Sequence, residues 1–177
     1  MNSFIFQDPF FLYFDAPSQR LRITKEDKSN NHQLERDYEN VLLLGSGNIL
    51  CQNKKVFDFY NMRMDHLASF YFKNISNTKL CPYDSNSFFA LQDKQVYEYS
   101  QVNQSTLNSQ LVSSDIKNTI IDYAICNQFS VFLLSKKETQ YIYVRSFDKD
   151  EEDNYVTAFI FEVPEIGGKI FCDDLNF

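Results

Sequence analysis

The sequence predicts an all-β domain assembled from a repeating unit of four antiparallel strands. Three observations carry this expectation. Helical periodicity is almost absent from the 177 residues, whereas short apolar or alternating runs recur along the chain. Aromatic residues reach 16%, as 18 Phe and 11 Tyr, and these are strand formers and large core fillers. The runs also keep a common phase. Those that precede a polar turn begin at Phe10, Ile49, Phe88, Phe129 and Phe177, with spacings of 39, 39, 41 and 48. The last spacing is longer because the acidic stretch 148–153, DKDEED, lies inside it.

The elements follow in order. The first unit, about 1–40, has an apolar run at 10–14 ended by Asp15 and Pro17, then an alternating run at 21–24. No first strand is evident before Phe10, and residues 25–36, polar except for Leu34, read as a loop or an insertion. The second unit, about 41–79, has runs at 41–44, 49–51, 56–60 and 66–72. The third, about 80–119, has runs at 88–91, 96–99 and 107–112. The fourth, about 120–165, has runs at 120–126, 129–134, 141–144 and 155–163. Residues 166–177 start a fifth, with a run at 169–172. Short polar turns at 15–20, 52–55, 92–95 and 135–140 separate the middle strands of each unit.

Four strands in about 40 residues is the period of a β-propeller blade. The segment Asp93-Lys94-Gln95-Val96-Tyr97-Glu98-Tyr99-Ser100 resembles the turn and third strand of a WD40 repeat, Asp-Gly-x-Val-x-x-Trp-Asp. On this resemblance, which spans nearly the whole chain, residues 1–177 form a single domain. Its expected fold is a partial β-propeller of about four four-stranded antiparallel blades. An OB-type barrel or a β-sandwich is the alternative. The Trp-Asp and Gly-His signatures are absent, and Asn, Asp and Lys replace most turn glycines. Asn and Asp tolerate the positive φ that such turns need. The family's buried His, Asp, Ser/Thr and Trp network cannot be assembled from these residues, so apolar packing is expected to hold the blades. The phase stops in mid-repeat at Phe177. The expectation is the N-terminal part of a longer ring, or a ring completed by another chain.

Charge and cysteine usage bound the function. A net charge of -7 and a pI near 4.8 oppose binding to duplex nucleic acid and to anionic membranes. Cys51, Cys81, Cys126 and Cys172 form no CxxC pair, and His32 and His66 are the only histidines, which excludes a standard zinc site. The cysteines are expected as reduced core residues. Residues 1–14 lack a basic n-region and are interrupted by Asp8 and Pro9, and no run approaches 18 apolar residues. An intracellular, soluble protein is expected. The sequons at Asn74 and Asn103 then read as chance matches.

Catalytic signals are thin. Gly45-Ser46-Gly47 reads as a turn. His66 follows Asp65 without a placed nucleophile. Asp58 and Glu98 hold similar positions in their units and could serve glycoside chemistry, but each reads as a charge on the solvent side of a strand. The stretch 148–153 reads as a solvated hairpin tip, without the EF-hand spacing. No catalytic, cofactor or metal residues are assigned. Tyr97, Tyr99, Tyr141 and Tyr143 recur on the alternating strands and are the candidate partner-binding residues. The resemblance implies protein or peptide binding. The expected function is therefore a non-enzymatic protein–protein interaction scaffold in a larger intracellular assembly. The rivals are an OB-type single-stranded nucleic-acid-binding subunit and a propeller hydrolase.

Overall fold

A computed structural model describes residues 2–7, 10–25, 28–73, 75, 78–126, 129–149, 155–163 and 168–170. Every regular element among them is a strand, and the sixteen strands form four four-stranded sheets. The first sheet is β1 (Asn2–Gln7), β2 (Phe10–Asp15), β3 (Arg20–Lys25) and β4 (Lys28–Gln33). The second is β5 (Asn40–Leu43), β6 (Ile49–Gln52), β7 (Val56–Tyr60) and β8 (His66–Tyr71). The third is β9 (Lys79–Pro82), β10 (Ser87–Gln92), β11 (Gln95–Asn103) and β12 (Thr106–Leu111). The fourth is β13 (Thr119–Cys126), β14 (Phe129–Lys136), β15 (Thr139–Lys149) and β16 (Tyr155–Val163). Each sheet is a meander in sequence order, as a blade requires. Four separate meanders exclude the single closed barrel of an OB fold.

Two sequence expectations are corrected in the first sheet. Asn2–Gln7 is its first strand, paired with β2 from Asn2↔Asp15 to Gln7↔Phe10. Residues 28–33 are not a loop but its fourth strand, in register with β3 from Arg20↔Gln33 to Lys25↔Lys28. This strand is polar because it is the outer edge, largely exposed, where apolar side chains would invite pairing with other chains. The acidic stretch begins at the end of β15, and residues 150–153 lie outside the described residues. Of the expected run at 169–172, Lys169 and Ile170 are described and are not in a strand, and 171–172 lie outside.

Residues without Cβ freedom to spare make several of the turns. Asp93, Lys94 and Lys137 take φ of 47°, 68° and 59°, where Gly is usual. Gly47 takes φ 82° in the β5–β6 turn. Beside it, the Gly45 and Ser46 N–H groups donate to the Asp84 and Ser85 carbonyls at 3.2 and 2.9 Å. A Cβ at Gly45 would lie 3.2 Å from that backbone, so glycine is needed for the approach. The expected turn at 45–47 is thus a docking point between sheets two and three.

The chain divides into two compact units, 1–92 with 98–110, and 93–97 with 111–177. In the first unit the innermost strand β5 lies against β1 and β9. The second sheet is buried on both faces. One packs Val41, Leu43, Ile49 and Cys51 against Leu12, Phe14, Leu21 and Ile23 of the first sheet. The other presents Phe57, whose ring centroid is 5.2 Å from that of Phe88 and 5.3 Å from that of Tyr99.

Candidate functional site

Strand β7 alternates Phe57 and Phe59 on one face with Asp58 on the other. The register sets Asp58 in a row with Val41, Cys51 and Ser69. That is the face packed on the first sheet, so Asp58 does not face solvent as the alternation suggested. It is 1% exposed. A carboxylate buried this deeply needs donors. The Tyr38 hydroxyl donates to Oδ2 at 2.5 Å, Arg36 Nη1 donates to the same oxygen at 3.1 Å, and the Ser69 hydroxyl donates to Oδ1. Arg36 Nη2 also donates to the Tyr71 hydroxyl at 3.3 Å. The Tyr38 and Tyr60 hydroxyls lie 2.8 Å apart. His66 Nε2 is 2.8 Å from Ser69 Oγ and 3.8 Å from Asp58 Oδ1.

A polar network therefore does hold this blade, contrary to the expectation of apolar packing alone. It is built from Arg, Tyr, Asp, Ser and His. Burial, then the bond to Asp58, raises the Tyr38 phenol well above its usual range. Burial also raises Tyr60 and the Cys51 thiol, so both stay protonated and Cys51 is unreactive. The bond to Tyr71, then the field of Asp58, raises Arg36. A groove of about 630 Å³ opens over the network, between His32 and Gln33 of β4 and Tyr60, His66 and Tyr71 of the second sheet.

The arrangement is not a nucleophilic triad. A triad places His between the hydroxyl and the carboxylate, so that His takes the hydroxyl proton. Here the Ser69 hydroxyl donates directly to Asp58, and His66 reaches both through the same nitrogen. Asp65 accepts from Asn61 Nδ2 at 2.8 Å and closes the 61–65 turn. Nor do Asp58 and Glu98 converge. Glu98, on the third sheet, accepts from Ser100 at 3.5 Å, and its pKa is raised by burial and then by Asp84. Among the described residues no three His, Cys, Asp or Glu side chains are grouped to hold a metal ion.

The fourth sheet carries the same device with its charges reversed. Arg145 on β15 is fully buried, in a row with Ser130 and Thr157. Its Nη1 donates to Asp115 Oδ1 at 2.6 Å and its Nη2 to the Val112 carbonyl at 2.7 Å. Its guanidinium carbon lies 5.0 Å from the Phe132 ring centroid. Val112 and Asp115 belong to the connector before β13, as Arg36 and Tyr38 belong to the connector before β5.

Sequence reasoning missed a glutamine that recurs at or beside the turn between second and third strands: Gln19 within it, Gln52 and Gln92 at the end of the second strand, and Gln140 at the start of the third. Gln19 Nε2 donates to the Tyr38 carbonyl at 2.9 Å, and its Oε1 accepts from the Tyr38 N–H at 2.8 Å. Gln52 Nε2 donates to the Ile75 carbonyl at 3.0 Å, and its Oε1 accepts from Asn40 Nδ2 at 2.6 Å. Both tie their blade to the connector that follows. The repetition at the turn was the available signal.

The four tyrosines separate. Tyr99 is not a surface residue: it is core, stacked on Phe88 at 5.3 Å with its hydroxyl donating to Gln92 Oε1. Tyr97 is half-buried and donates to Gln95 Oε1. Tyr141 and Tyr143 come together around a cavity of about 240 Å³ with Leu134, Lys136 and Ile160. Three exposed large apolar residues, Phe159, Ile160 and Phe161, lie on the neighbouring strand β16.

No family model matches the sequence, and no curated protein is similar to it in sequence. Solved structures are similar in fold. An exported-protein candidate of Bacteroides fragilis aligns with 88% of this chain and 57% of its own, at 13% identity and TM-score 0.56. The WD40 β-propeller domain of Doa1 aligns with 92% of this chain and 53% of its own, at 14% identity and TM-score 0.56. Kluyveromyces lactis Hsv2 aligns with 91% of this chain and 61% of its own, at 10% identity and TM-score 0.53. The chain thus spans a little over half the length of these structures. Four four-stranded meanders with such neighbours have the fold of a divergent WD40-like β-propeller, of which this chain forms about four blades.

Proposed function

We propose that this protein is a non-enzymatic interaction scaffold, a subunit of a larger intracellular assembly. The fold is of a kind used for protein interaction. The observation that carries the reading is the concentration of exposed aromatic and aliphatic side chains on one strand, β16, with Phe159 at 67% and Phe161 at 52% exposure. An exposed apolar patch on a folded sheet marks a binding surface. The polar cluster at Asp58 supports the same reading, because its donors are consumed in holding a connector. Cys51, a buried thiol, suits a reducing compartment. The test is the size of the native protein in cell extract, by gel filtration with an antibody to this chain. A species several times larger than 20.9 kDa is expected, and elution as a 20.9 kDa monomer overturns the reading.

A further inference from the structure

We infer that the groove between β4 and the second sheet receives a basic side chain, lysine or arginine, of a partner protein. This rests on the scaffold reading and names the chemistry of one contact. The groove, of about 630 Å³, has residues 31–36 as one wall and side chains of β7, β8 and the turn between them as the other. All of them belong to the first compact unit. The direction of each hydroxyl proton decides what these walls offer. Tyr38 gives its one proton to Asp58, so Tyr60 is the donor across the 2.8 Å contact between the two hydroxyls. The Tyr60 oxygen keeps its lone pairs. Ser69 likewise gives its proton to Asp58, so His66 Nε2 carries the proton that meets Ser69 Oγ. This count assigns the neutral His66 tautomer and leaves Nδ1 an acceptor. Gln33 turns Nε2 to the Ser18 and Gln19 carbonyls at 3.0 and 3.3 Å, which leaves Oε1 as its unbonded end.

Charge points the same way. Arg36 is held by Asp58 and by the Tyr71 hydroxyl. Glu35, exposed on the same wall, has no ion pair among the described residues. With both histidines neutral, the lining and the carboxylate beneath it carry Asp58 and Glu35 against Arg36, a net negative charge. The whole chain stands at -7, which draws a basic segment in and turns an acidic one away. Tyr60 and Tyr71 supply aromatic rings for a cation, and Met64 supplies apolar surface for its methylene stem. Tyr71 already shows the contact: the Arg36 guanidinium carbon lies 5.9 Å from its ring centroid, and Tyr71 remains 69% exposed.

An acidic or phosphorylated segment does not fit. Its oxygens would meet the lone pairs of Tyr60, His66 and Gln33 and the carboxylate of Glu35, and it would compete with Asp58 for Arg36. A second copy of the chain brings the same -7 charge, and two such chains repel. The occupant that fits is a basic segment of a partner, whose ammonium or guanidinium hydrogens find acceptors in Tyr60, His66 and Glu35.

The test is nuclear magnetic resonance of the full chain with nitrogen-15 in its histidines, at about pH 8, where ordinary imidazole is neutral. His66 should report a proton on Nε2, and a proton on Nδ1 instead overturns the inference. The probes are a blocked Gly-Arg-Gly peptide and its companions with Lys, citrulline or Glu at the centre. The arginine and lysine peptides should shift the His66 signal saturably. The citrulline peptide, which keeps the shape and loses the charge, should bind about tenfold more weakly, and the glutamate peptide should not bind. Glu35→Gln should weaken the arginine peptide by about threefold, and Glu138→Gln, exposed in the β14–β15 turn, should change nothing. An equal loss in both variants would mean that net charge alone attracts the peptide, and overturns the inference. So does the lack of a saturable shift with either basic peptide, or a preference for glutamate, and the scaffold reading then still rests on the gel-filtration size. Saturable binding of the basic peptides by a protein that elutes from extract as a monomer sinks the scaffold reading alone.

Discussion

The second and fourth blades solve one problem with opposite charges. In each, the third strand points an ionised side chain into the buried face, and the connector before the blade reaches in to meet it. Asp58 is met by Arg36, and Arg145 by Asp115. In both pairs the strand member is sealed, at 1% and 0% exposure, and the connector member is 42% exposed. A serine of a neighbouring strand completes each, Ser69 in one and Ser130 in the other. The two sites differ in place, Asp58 in the second pair from the β6–β7 turn and Arg145 in the seventh from the β14–β15 turn, and share a buried charge that a connector reaches. The signs differ in what remains when the connector residue is lost. Asp58 keeps two hydroxyl donors, and Arg145 keeps a carbonyl and a hydroxyl acceptor.

The largest expected effect follows from that contrast. Asp115→Ala removes the carboxylate that lies 2.6 Å from a fully buried guanidinium. Breaking a buried pair in this way costs about 3–5 kcal/mol. Urea unfolding should show it as a large fall in midpoint at unchanged slope. A loss under about 1 kcal/mol would mean that water reaches Arg145 and the fourth-blade clamp is not sealed.

Arg36→Ala should cost less, about 1–3 kcal/mol, because the Tyr38 and Ser69 hydroxyls still satisfy the Asp58 carboxylate. Its companion Tyr38→Phe removes a donor from inside the network. The two together should lose more than the sum of their separate losses, since each leaves the other as a main remaining donor. Strict additivity in that double-mutant cycle would show that the residues do not act as one clamp.

The fold was more legible in the sequence than the clamps. The phase of 39, 39 and 41 residues located the second and third strands of every blade, and the Asp93-Lys94 turn has the positive φ that its match to a WD40 turn implies. β4 was missed because Lys-Ser-Asn-Asn-His-Gln has no strand propensity, and backbone pairing with β3 holds it. Asp58 and Tyr99 were misplaced for a single reason. Alternation was read as core against solvent, but the second sheet packs on the first with its Asp58 face and on Phe88 and Tyr99 of the third with its Phe57 face. The clamp partners lie 22 and 30 residues apart in sequence and meet only through the strand register.

A glutamine version of the clamp should give a smaller effect. Gln52→Ala removes the bonds to the Ile75 carbonyl and from Asn40, neutral bonds worth about 1–2 kcal/mol together. Hydrogen exchange should quicken in the connector 72–78 before it changes in the first sheet. Equal changes in both would mean that Gln52 supports the core at large and not the connector.

The third blade sets the lower end of the scale. Its carboxylate, Glu98, meets the Ser100 hydroxyl and the field of Asp84. Burial, then Asp84, raises its pKa above the ordinary 4.5, while Ser100 lowers it. A raised acid is bound more tightly to its proton in the folded state. Its contribution to stability is complete below the ordinary value and is lost as the pH climbs through the raised one. Glu98→Gln removes that loss. The variant should match the parent at pH 4 and exceed it at pH 7, by on the order of 0.5 kcal/mol, the scale of a half-exposed charge contact. Asp84→Asn should produce part of the same gain, and none in the Glu98→Gln background. If Glu98→Gln instead lowers stability at pH 7, the ionised Glu98 has found a cation, and the third blade carries a clamp of its own.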